Sequence, residues 1–174
     1  IEETASLIDC LAPQVLQIDL DNAESSQRLR DLPIPAFVRF GIETALLDLR
    51  GKASGCSVVE LLGGGSLPLP VNALITTEVP QEAAAKARKA VALGFTSLKL
   101  KVALGSIEQD EALVSSVRQA VGPKVKLRID PNQGWSVSQA IDSIQRLAPY
   151  GLEYVEQPVP ANDLAGQTEV RMAS

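Results

Sequence analysis

Basic side chains alternate with apolar ones in two stretches of the second half of the chain. Residues 97–102, SLKLKV, carry Lys99 and Lys101, and residues 124–129, KVKLRI, are followed at once by Asp130. Successive side chains of a β-strand point to opposite faces, so the two lysines share one face and the apolar residues share the other. Parallel strands are usually buried on both faces, so two lysines are unexpected there. A strand with one solvated face is the alternative explanation for the first stretch.

Carboxylates stand where the predicted strands end. Lys126, Arg128 and Asp130 fall on one face of the second stretch, and Glu156 closes a third stretch, residues 152–156, LEYVE. The carboxyl ends of parallel strands are where barrels and open α/β sheets place their active sites. An aspartate before a proline can instead form a turn or cap a helix, so Asp130 by itself is open to both interpretations.

Polar and aromatic residues follow Asp130 in the segment PNQGWS. Asn132 can hydrogen-bond a neighbouring metal ligand or make a local turn, and Trp135 can line a pocket or pack in the core. Ser136 is a predicted N-cap for the next helix, because serine side chains accept hydrogen bonds from free backbone N–H groups.

Two carboxylates on adjacent strand ends repel each other unless positive charge lies between them. Mg²⁺ suits this position because it takes oxygen ligands and keeps places for water and substrate. A lysine close to such a cation has a lowered pKa and can act as a base near neutral pH. The combination predicts removal of a proton next to a carboxylate, with the metal holding the resulting enediolate.

The elements that must hold these residues follow a regular order. Residues 1–64 show helical periodicity, and the longest predicted helix, residues 35–55, has an apolar stripe made of Phe37, Phe40, Ile42, Ala45, Leu46 and Leu49. Four predicted strands then alternate with helices: strands at 71–75, 97–102, 124–129 and 152–156, and helices at 80–94, 106–122, 136–151 and 162–174.

Consecutive strand–helix units imply an α/β fold with a parallel sheet covered by helices. An open doubly wound sheet and part of a (β/α)8 barrel both fit this order. No turn after a strand carries a phosphate-binding glycine pattern, and the glycines at 63–65 end a helix rather than begin one. The nucleotide-binding version of the open sheet is therefore disfavoured.

Composition excludes several classes of partner. The 174 residues carry a formal net charge of -5, which argues against nucleic acid and anionic membranes as partners. No apolar run reaches the roughly 18 to 20 residues that a membrane span needs. The chain contains no histidine, so it cannot itself supply a histidine base or metal ligand.

Cys10 and Cys56 are too few and too scattered for a disulfide framework or a zinc site. We expect both to be buried thiols in a reducing compartment, the cytoplasm, or the plastid if the host is a plant or an alga. The chain begins with Ile1 rather than methionine, so we expect the true N-terminus and any targeting segment to be absent.

The stretches LKLKV, LRIDPNQGW and EYVEQPV, in this order and spacing, resemble the enolase superfamily, and within it the muconate-lactonizing-enzyme-like subgroup. The resemblance covers almost the whole chain. It implies that residues 1–64 are the C-terminal helical part of an α+β capping domain with the entry to a barrel. It implies that residues 65–174 are the first four strand–helix units of a (β/α)8 barrel.

The resemblance also implies a role for each candidate residue. Lys101 is expected to be the base that takes the α-proton, and Lys99 the companion that stabilises the enolate. Asp130 and Glu156 are expected to be the first two ligands of Mg²⁺, with Mn²⁺ as an alternative ion, and Asn132 to lie beside them. The expected partner is a small-molecule carboxylate, with no nucleic acid and no membrane, and self-association into a homo-oligomer is left open.

The family supplies a third metal carboxylate from its fifth strand and another lysine from its sixth, and this chain ends before both. We therefore expect a longer parent protein. A half-barrel would have two open sheet edges, which are a liability for stability and aggregation. We expect the chain by itself to bind Mg²⁺ poorly and to catalyse little.

Specificity in this family lies mainly in capping-domain loops and late barrel loops, so the particular reaction is less constrained. FVRFGIETALLDL and VNALI are more like o-succinylbenzoate synthases, which eliminate water on the way to menaquinone or phylloquinone, and this lyase is the first expectation. Dipeptide (L-Ala-D/L-Glu) epimerase and N-succinylamino acid racemase are alternatives, because GPKVKLRIDPNQGW and VEQPVPANDLAG are nearly as common in dipeptide epimerases. A non-catalytic half-barrel is the alternative from another class, and the intact lysines and carboxylates argue against it.

Overall fold

The computed structural model describes residues 2–18, 23–65 and 68–174, and the chain divides into two compact units, residues 1–68 and 69–174. The first unit is helical, as its periodicity predicts. Its described helices are α1 (Glu2–Val15), α2 (Ala23–Asp31), α3 (Ala36–Ser54) and α4 (Val58–Leu61).

The first unit packs around a small apolar cluster of Leu11, Leu29, Val38 and Ile42. The predicted apolar stripe on α3 is only partly right. Ile42 is buried, but Phe37 and Phe40 are 65% and 72% exposed, and Val38, outside the predicted stripe, is 2% exposed. Apolar residues surround most of α3. The face that packs against the neighbouring helices is the one formed by Val38 and Ile42, which are four residues apart.

The second unit contains a parallel sheet whose strands lie in the order β1-β2-β3-β4. The strands are β1 (Ala73–Ile75), β2 (Ser97–Lys101), β3 (Lys126–Asp130) and β4 (Leu152–Val155), and the helices are α5 (Pro80–Ala92), α6 (Ile107–Val121), α7 (Val137–Leu147) and α8 (Leu164–Ala173). Every predicted strand and helix is present, with ends that differ by a few residues. The sheet and its helices confirm the predicted α/β class.

One face of the sheet forms the core of the second unit. Leu98, Leu100, Leu127 and Ile129 are fully buried in the core cluster, which also contains residues of the four helices. The predicted alternation on β2 and β3 is thus confirmed, because these side chains occupy every second strand position. Trp135 is also buried in this cluster, so it packs in the core.

The predicted helix starts carry the expected side chains. Ser106 and Ser136 each accept a hydrogen bond from the backbone N–H three residues later, Gln109 and Gln139, whose side chains bond back to the serine N–H. These reciprocal bonds satisfy donors that a helix start otherwise leaves free. The prediction of Ser136 as an N-cap is confirmed.

A single guanidinium forms hydrogen bonds with both segments that lead into β3 and β4. Arg118, near the end of α6, donates to the carbonyl oxygens of Gly122, Val125, Tyr150 and Gly151 at 2.6, 2.7, 2.8 and 3.0 Å. Burial lowers the pKa of Arg118 from its usual value. The contacts lie at the amino ends of the strands, opposite the end that carries the carboxylates.

The cysteines are not buried as expected. Cys10 is exposed and Cys56 is half-buried. The physical reason for Cys10 is that α1 is a surface helix, on which Leu11 is the buried residue among those described. Within the described residues, no helix is long and apolar enough to cross a membrane.

Candidate active site

The register of β2 and β3 brings the predicted lysines and aspartate onto one face. Lys101 stands opposite Asp130, and Lys99 stands opposite Arg128. Register partners in a parallel pair share a face, and the buried leucines and isoleucine occupy the other one. We call the polar side the lysine face of the sheet.

Glu156 reaches the lysine face only because the register of β4 shifts. Leu127 pairs with Leu152, but Arg128 pairs with Tyr154, so Glu153 is an additional residue in β4. Strict alternation from Leu152 would turn Glu156 towards the helices. The additional residue reverses the alternation, as bulges commonly do beside active sites.

The ammonium groups of the two lysines hold the carboxylates together. Lys99 Nζ lies 2.9 Å from Asp130 Oδ2 and 2.8 Å from Glu156 Oε2, and Lys101 Nζ lies 2.6 Å from Asp130 Oδ2. Lys101 also donates to Asn132 Oδ1, and the Asn132 N–H donates to Asp130 Oδ1 at 2.9 Å. The positive charge expected between the carboxylates is therefore provided by Lys99 in this structure.

Asp130 is the most buried of these groups, at 1% exposure. Its burial acts to raise the pKa, but the hydrogen bonds from Lys101 and Lys99 outweigh this, and the pKa of Asp130 lies below its usual value. The hydrogen bond to Glu156 raises the pKa of Lys99, against an opposing effect of burial. The expected fall in lysine pKa depends on a nearby metal ion, and with the carboxylates alone the pKa of Lys99 moves upward.

The turns after β2, β3 and β4 contain strained backbone. The non-glycine residues with a positive φ in the described part of the chain are Ala103, Asn132, Gln133 and Gln157, with φ of 65°, 50°, 67° and 45°. Each lies within three residues of Lys101, Asp130 or Glu156 along the chain. Such strain collects at functional sites when surrounding contacts hold it in place.

Backbone and side-chain hydrogen bonds join the last two of these turns. The Gln133 N–H donates to the Gln157 carbonyl at 2.8 Å, and Gln133 Oε1 accepts from the Ala161 N–H at 2.8 Å. The Trp135 N–H donates to the Pro158 carbonyl at 3.2 Å. Gln133 thus fixes the turn after Asp130 to the turn after Glu156, a role that the sequence signals only through the turn-forming NQG.

A buried carboxylate outside the predicted set holds the turn after Lys101. Both oxygens of Asp110 accept a hydrogen bond from the Ala103 N–H, at 3.1 and 3.0 Å. Burial raises the pKa of Asp110, and the nearby charge of Glu78 acts in the same direction. The sequence offers no signal for this contact, because an acidic residue in the first turn of a helix is usually a surface residue.

The donor set at the carboxylates fits a hard divalent ion. Asp130 and Glu156 each place an oxygen within 2.9 Å of the same Lys99 nitrogen, so they converge on one cation position. No cluster of three or more His, Cys, Asp or Glu side chains suited to a metal exists among the described residues. Mg²⁺ is commonly held by one or two carboxylates with water and substrate, so this pair is sufficient for partial coordination.

The structure therefore brings together all five predicted site residues: Lys99, Lys101, Asp130, Asn132 and Glu156. Trp135 is not among them, because it lies in the core. A cavity of about 730 Å³ lies elsewhere, along β4, α7 and α8, and none of the five residues lines it. The lysines and carboxylates instead stand on the face of the sheet.

Charged side chains grouped at the carboxyl ends of parallel strands are typical of active sites in barrels and open α/β sheets. Residues 82–174 match the family described as enolase C-terminal domain-like, and residues 2–63 match the mandelate racemase / muconate lactonizing enzyme N-terminal domain. The chain belongs to the enolase superfamily, in its mandelate racemase and muconate-lactonizing-enzyme group.

Similarity to individual proteins supports this membership. The chain is 37% identical over 166 residues to the hydrophobic dipeptide epimerase of Enterococcus faecalis (strain ATCC 700802 / V583), covering 94% of this chain and 46% of that protein. A mandelate racemase/muconate lactonizing family protein from Azoarcus sp. EbN1 superposes with a TM-score of 0.86 at 32% identity, over 99% of this chain and 47% of that one. The chain therefore spans about half the length of these relatives.

A third relative was solved with ligands. The dipeptide epimerase from Cytophaga hutchinsonii, complexed with Mg and the dipeptide D-Ala-L-Val, matches with a TM-score of 0.69 and 34% identity, over 76% of this chain and 36% of that chain. The four parallel strands of this protein are consistent with half of the barrel of the enolase superfamily.

Proposed function

We propose that this chain is part of a Mg²⁺-dependent enzyme that removes the proton next to a substrate carboxylate. We propose further that the reaction is epimerisation of a dipeptide. The observation that carries the proposal is the convergence of Lys99, Lys101, Asp130 and Glu156 at the carboxyl ends of three neighbouring strands. The dipeptide epimerases among its relatives favour this reaction over the o-succinylbenzoate synthase expected first. The synthase and an N-succinylamino acid racemase remain second candidates, because they need the same residues.

Each site residue has a proposed role. Lys101 Nζ takes the α-proton, and its contacts with Asp130 and Asn132 aim the amine along the lysine face. Lys99 contributes positive charge where negative charge develops on the substrate carboxylate. Asp130 and Glu156 would hold Mg²⁺, with Mn²⁺ as a substitute, and Asn132 orients Asp130 through its N–H. A bound divalent ion would supply positive charge that stabilises the enediolate.

The two units have a proposed division of labour. Residues 1–64 form the helical end of a capping domain and the entry to the barrel, and residues 65–174 form the first half of the barrel. The boundaries of the two matching families, at residues 63 and 82, support this division. We expect a cytoplasmic protein that acts on a small carboxylate, and the residues needed on the opposite side of the substrate would come from the second half of a barrel.

The test follows exchange of the α-proton. The 174-residue chain and the complete product of its gene would be incubated with Mg²⁺ and L-Ala-L-Glu in D₂O, and deuterium at the α-carbon followed by ¹H NMR. We expect exchange by the complete product and little by the 174-residue chain. Lys101→Ala should slow exchange by about 10²-fold or more, and Lys86→Ala, a change at an exposed lysine of α5, should leave it unchanged.

The other outcomes separate the candidates. Exchange at the wild-type rate in Lys101→Ala would refute the role of this lysine as the base. Loss of 2-succinyl-6-hydroxy-2,4-cyclohexadiene-1-carboxylate absorbance, without dipeptide exchange, would identify the synthase. Turnover of neither substrate, nor of an N-succinylamino acid, would favour a non-catalytic half-barrel.

A further inference from the structure

The position of Glu156 depends on the register shift between β3 and β4. Leu152 and Val155 both contact the apolar core although they are three residues apart, which strict alternation forbids. The register shift after Leu127 accommodates this by placing Glu153 and Tyr154 together opposite Arg128. The additional residue of such a bulge is unpaired and the ladder is locally disrupted, so contacts made by side chains around it gain importance.

Arg128 contacts both residues of the bulge. Its Nε donates to Glu153 Oε2 at 2.6 Å, and its guanidinium carbon lies 4.9 Å from the centre of the Tyr154 ring. A second guanidinium nitrogen donates to Asn72 Oδ1 at 3.0 Å, and Asn72 directly precedes β1. One side chain therefore spans the lysine face from β4 to the segment before β1.

Arg128 is suited to this task in a way that its neighbour Lys126 is not. A guanidinium is planar and can donate in several fixed directions while it stacks on an aromatic ring. Lys126 also pairs with Glu153, at 2.6 Å, but its side chain is 61% exposed, so its ion pair is weakened by solvent. The Arg128 side chain is only 20% exposed.

We infer that Arg128 is a positioning residue for the candidate site: it holds the bulge at Glu153 and Tyr154, and the bulge turns the Glu156 carboxylate onto the lysine face. Among the described residues, the hydrogen bonds and the ion pair of Arg128 go to Glu153 and Asn72, and none goes to Lys99, Asp130 or Glu156. Its effect on ion binding rests on the proposed function, whereas its effect on the strand register does not.

The first experiment measures the register directly. The Glu156 N–H donates to the Ile129 carbonyl at 2.9 Å, so its hydrogen exchange and its nuclear Overhauser contacts with β3 report the bulged register. We expect Arg128→Met to lose these contacts and to speed exchange at this amide by about tenfold or more, while the amides of β2 keep their protection. Lys126→Met is the matched control, since it removes the other basic partner of Glu153, and it should keep the wild-type register.

The second experiment measures Mn²⁺ binding by electron paramagnetic resonance in a double-mutant cycle. We expect Arg128→Met to raise the dissociation constant by about tenfold, as residues that orient a ligand commonly do, and Lys126→Met to change it little. In a Glu156→Gln background, Arg128→Met should have no further effect, because both changes remove the same ligand. These measurements use the complete product of the gene, because the 174-residue chain is expected to bind the ion poorly. Absence of Mn²⁺ binding in that wild-type product would refute the proposed metal site, and the register measurement would still decide the role of Arg128.

The inference would be overturned if the Arg128→Met variant kept Val155 opposite Ile129 and showed unchanged hydrogen exchange at the Glu156 amide. If that variant does not fold, Arg128→Lys and Tyr154→Leu decide it, because each removes only part of the contacts. We expect both to show faster exchange at Glu156 than the wild type, with Arg128→Lys closer to it. A wild-type register and exchange rate in both variants would equally overturn the role of Arg128.

Discussion

The Arg118 guanidinium binds carbonyl groups at the amino ends of β3 and β4. We predict that Arg118→Met destabilises the second unit strongly. The substitution keeps much of the apolar stem and removes hydrogen bonds to four carbonyls, those of Gly122, Val125, Tyr150 and Gly151.

The magnitude follows from the number of bonds and their surroundings. A net contribution of about 0.5 to 1.5 kcal/mol for each hydrogen bond gives about 2 to 6 kcal/mol for the set. These carbonyls belong to half-buried or exposed residues, so water can reach them once the guanidinium is gone. We therefore expect a loss near the lower end, about 2 to 3 kcal/mol in the free energy of unfolding.

Arg146→Met is the matched control. Arg146 also makes several contacts, with Glu108 and Glu111, both at 2.7 Å, but they lie on the surface. Exposed ion pairs contribute little because water and salt screen them, so we expect no measurable change in stability.

The assay is urea unfolding followed by tryptophan fluorescence. The chain has one tryptophan, Trp135, which is buried in the core of the second unit, so the signal reports that unit. Equal losses of stability in Arg118→Met and Arg146→Met would contradict this prediction, because the Arg118 bonds to backbone carbonyls are mostly part-buried, whereas the Arg146 ion pairs are exposed.

Three further changes test other parts of the second unit by the same unfolding assay. Burial raises the pKa of Asp110 in the folded state, so stability falls as pH rises above the ordinary aspartate pKa until the raised pKa is passed. Asp110→Asn should gain stability relative to wild type over that rise, and a difference that does not change with pH would contradict this. Gly166→Ala should destabilise α8 by about 1 to 3 kcal/mol, because a Cβ there would lie 2.6 Å from Val137 Cγ2, and wild-type stability would show that this contact relaxes easily. Ser136→Ala should cost about 1 kcal/mol through loss of the helix cap, whereas the same change at exposed Ser138 should cost less; equal costs would count against the cap.

The candidate site shows which side-chain positions local sequence patterns can predict. Alternation along β2 and β3 was enough to group Lys99, Lys101 and Asp130 on one face, because the direction of each side chain follows from its position in the strand. The same rule fails for Glu156, whose face depends on the additional residue in β4. The spacing of Leu152 and Val155, both apolar and three residues apart, was the available signal for that irregularity.

Contacts between segments distant in sequence were beyond the reach of such patterns. Asp110 binds the backbone of Ala103, and Gln133 joins the turns after β3 and β4, yet neither residue has an unusual sequence context. The cysteines were assigned to the interior by residue type, and the phenylalanines of α3 by the helical spacing of apolar residues. Their actual exposure depends on which helix faces meet, and this is a property of the packed unit.

The sequence by itself determined the order of helices and strands, the parallel α/β class and the residue types at the strand ends, because periodicity, capping and turn formation act over a few neighbouring residues. The tertiary structure alone decided that the ammonium of Lys99 lies between Asp130 and Glu156, and that a bulge held by Arg128 turns Glu156 to meet it. Register between strands is set by contacts across the sheet, and a shift of one residue reverses the face of every side chain that follows it.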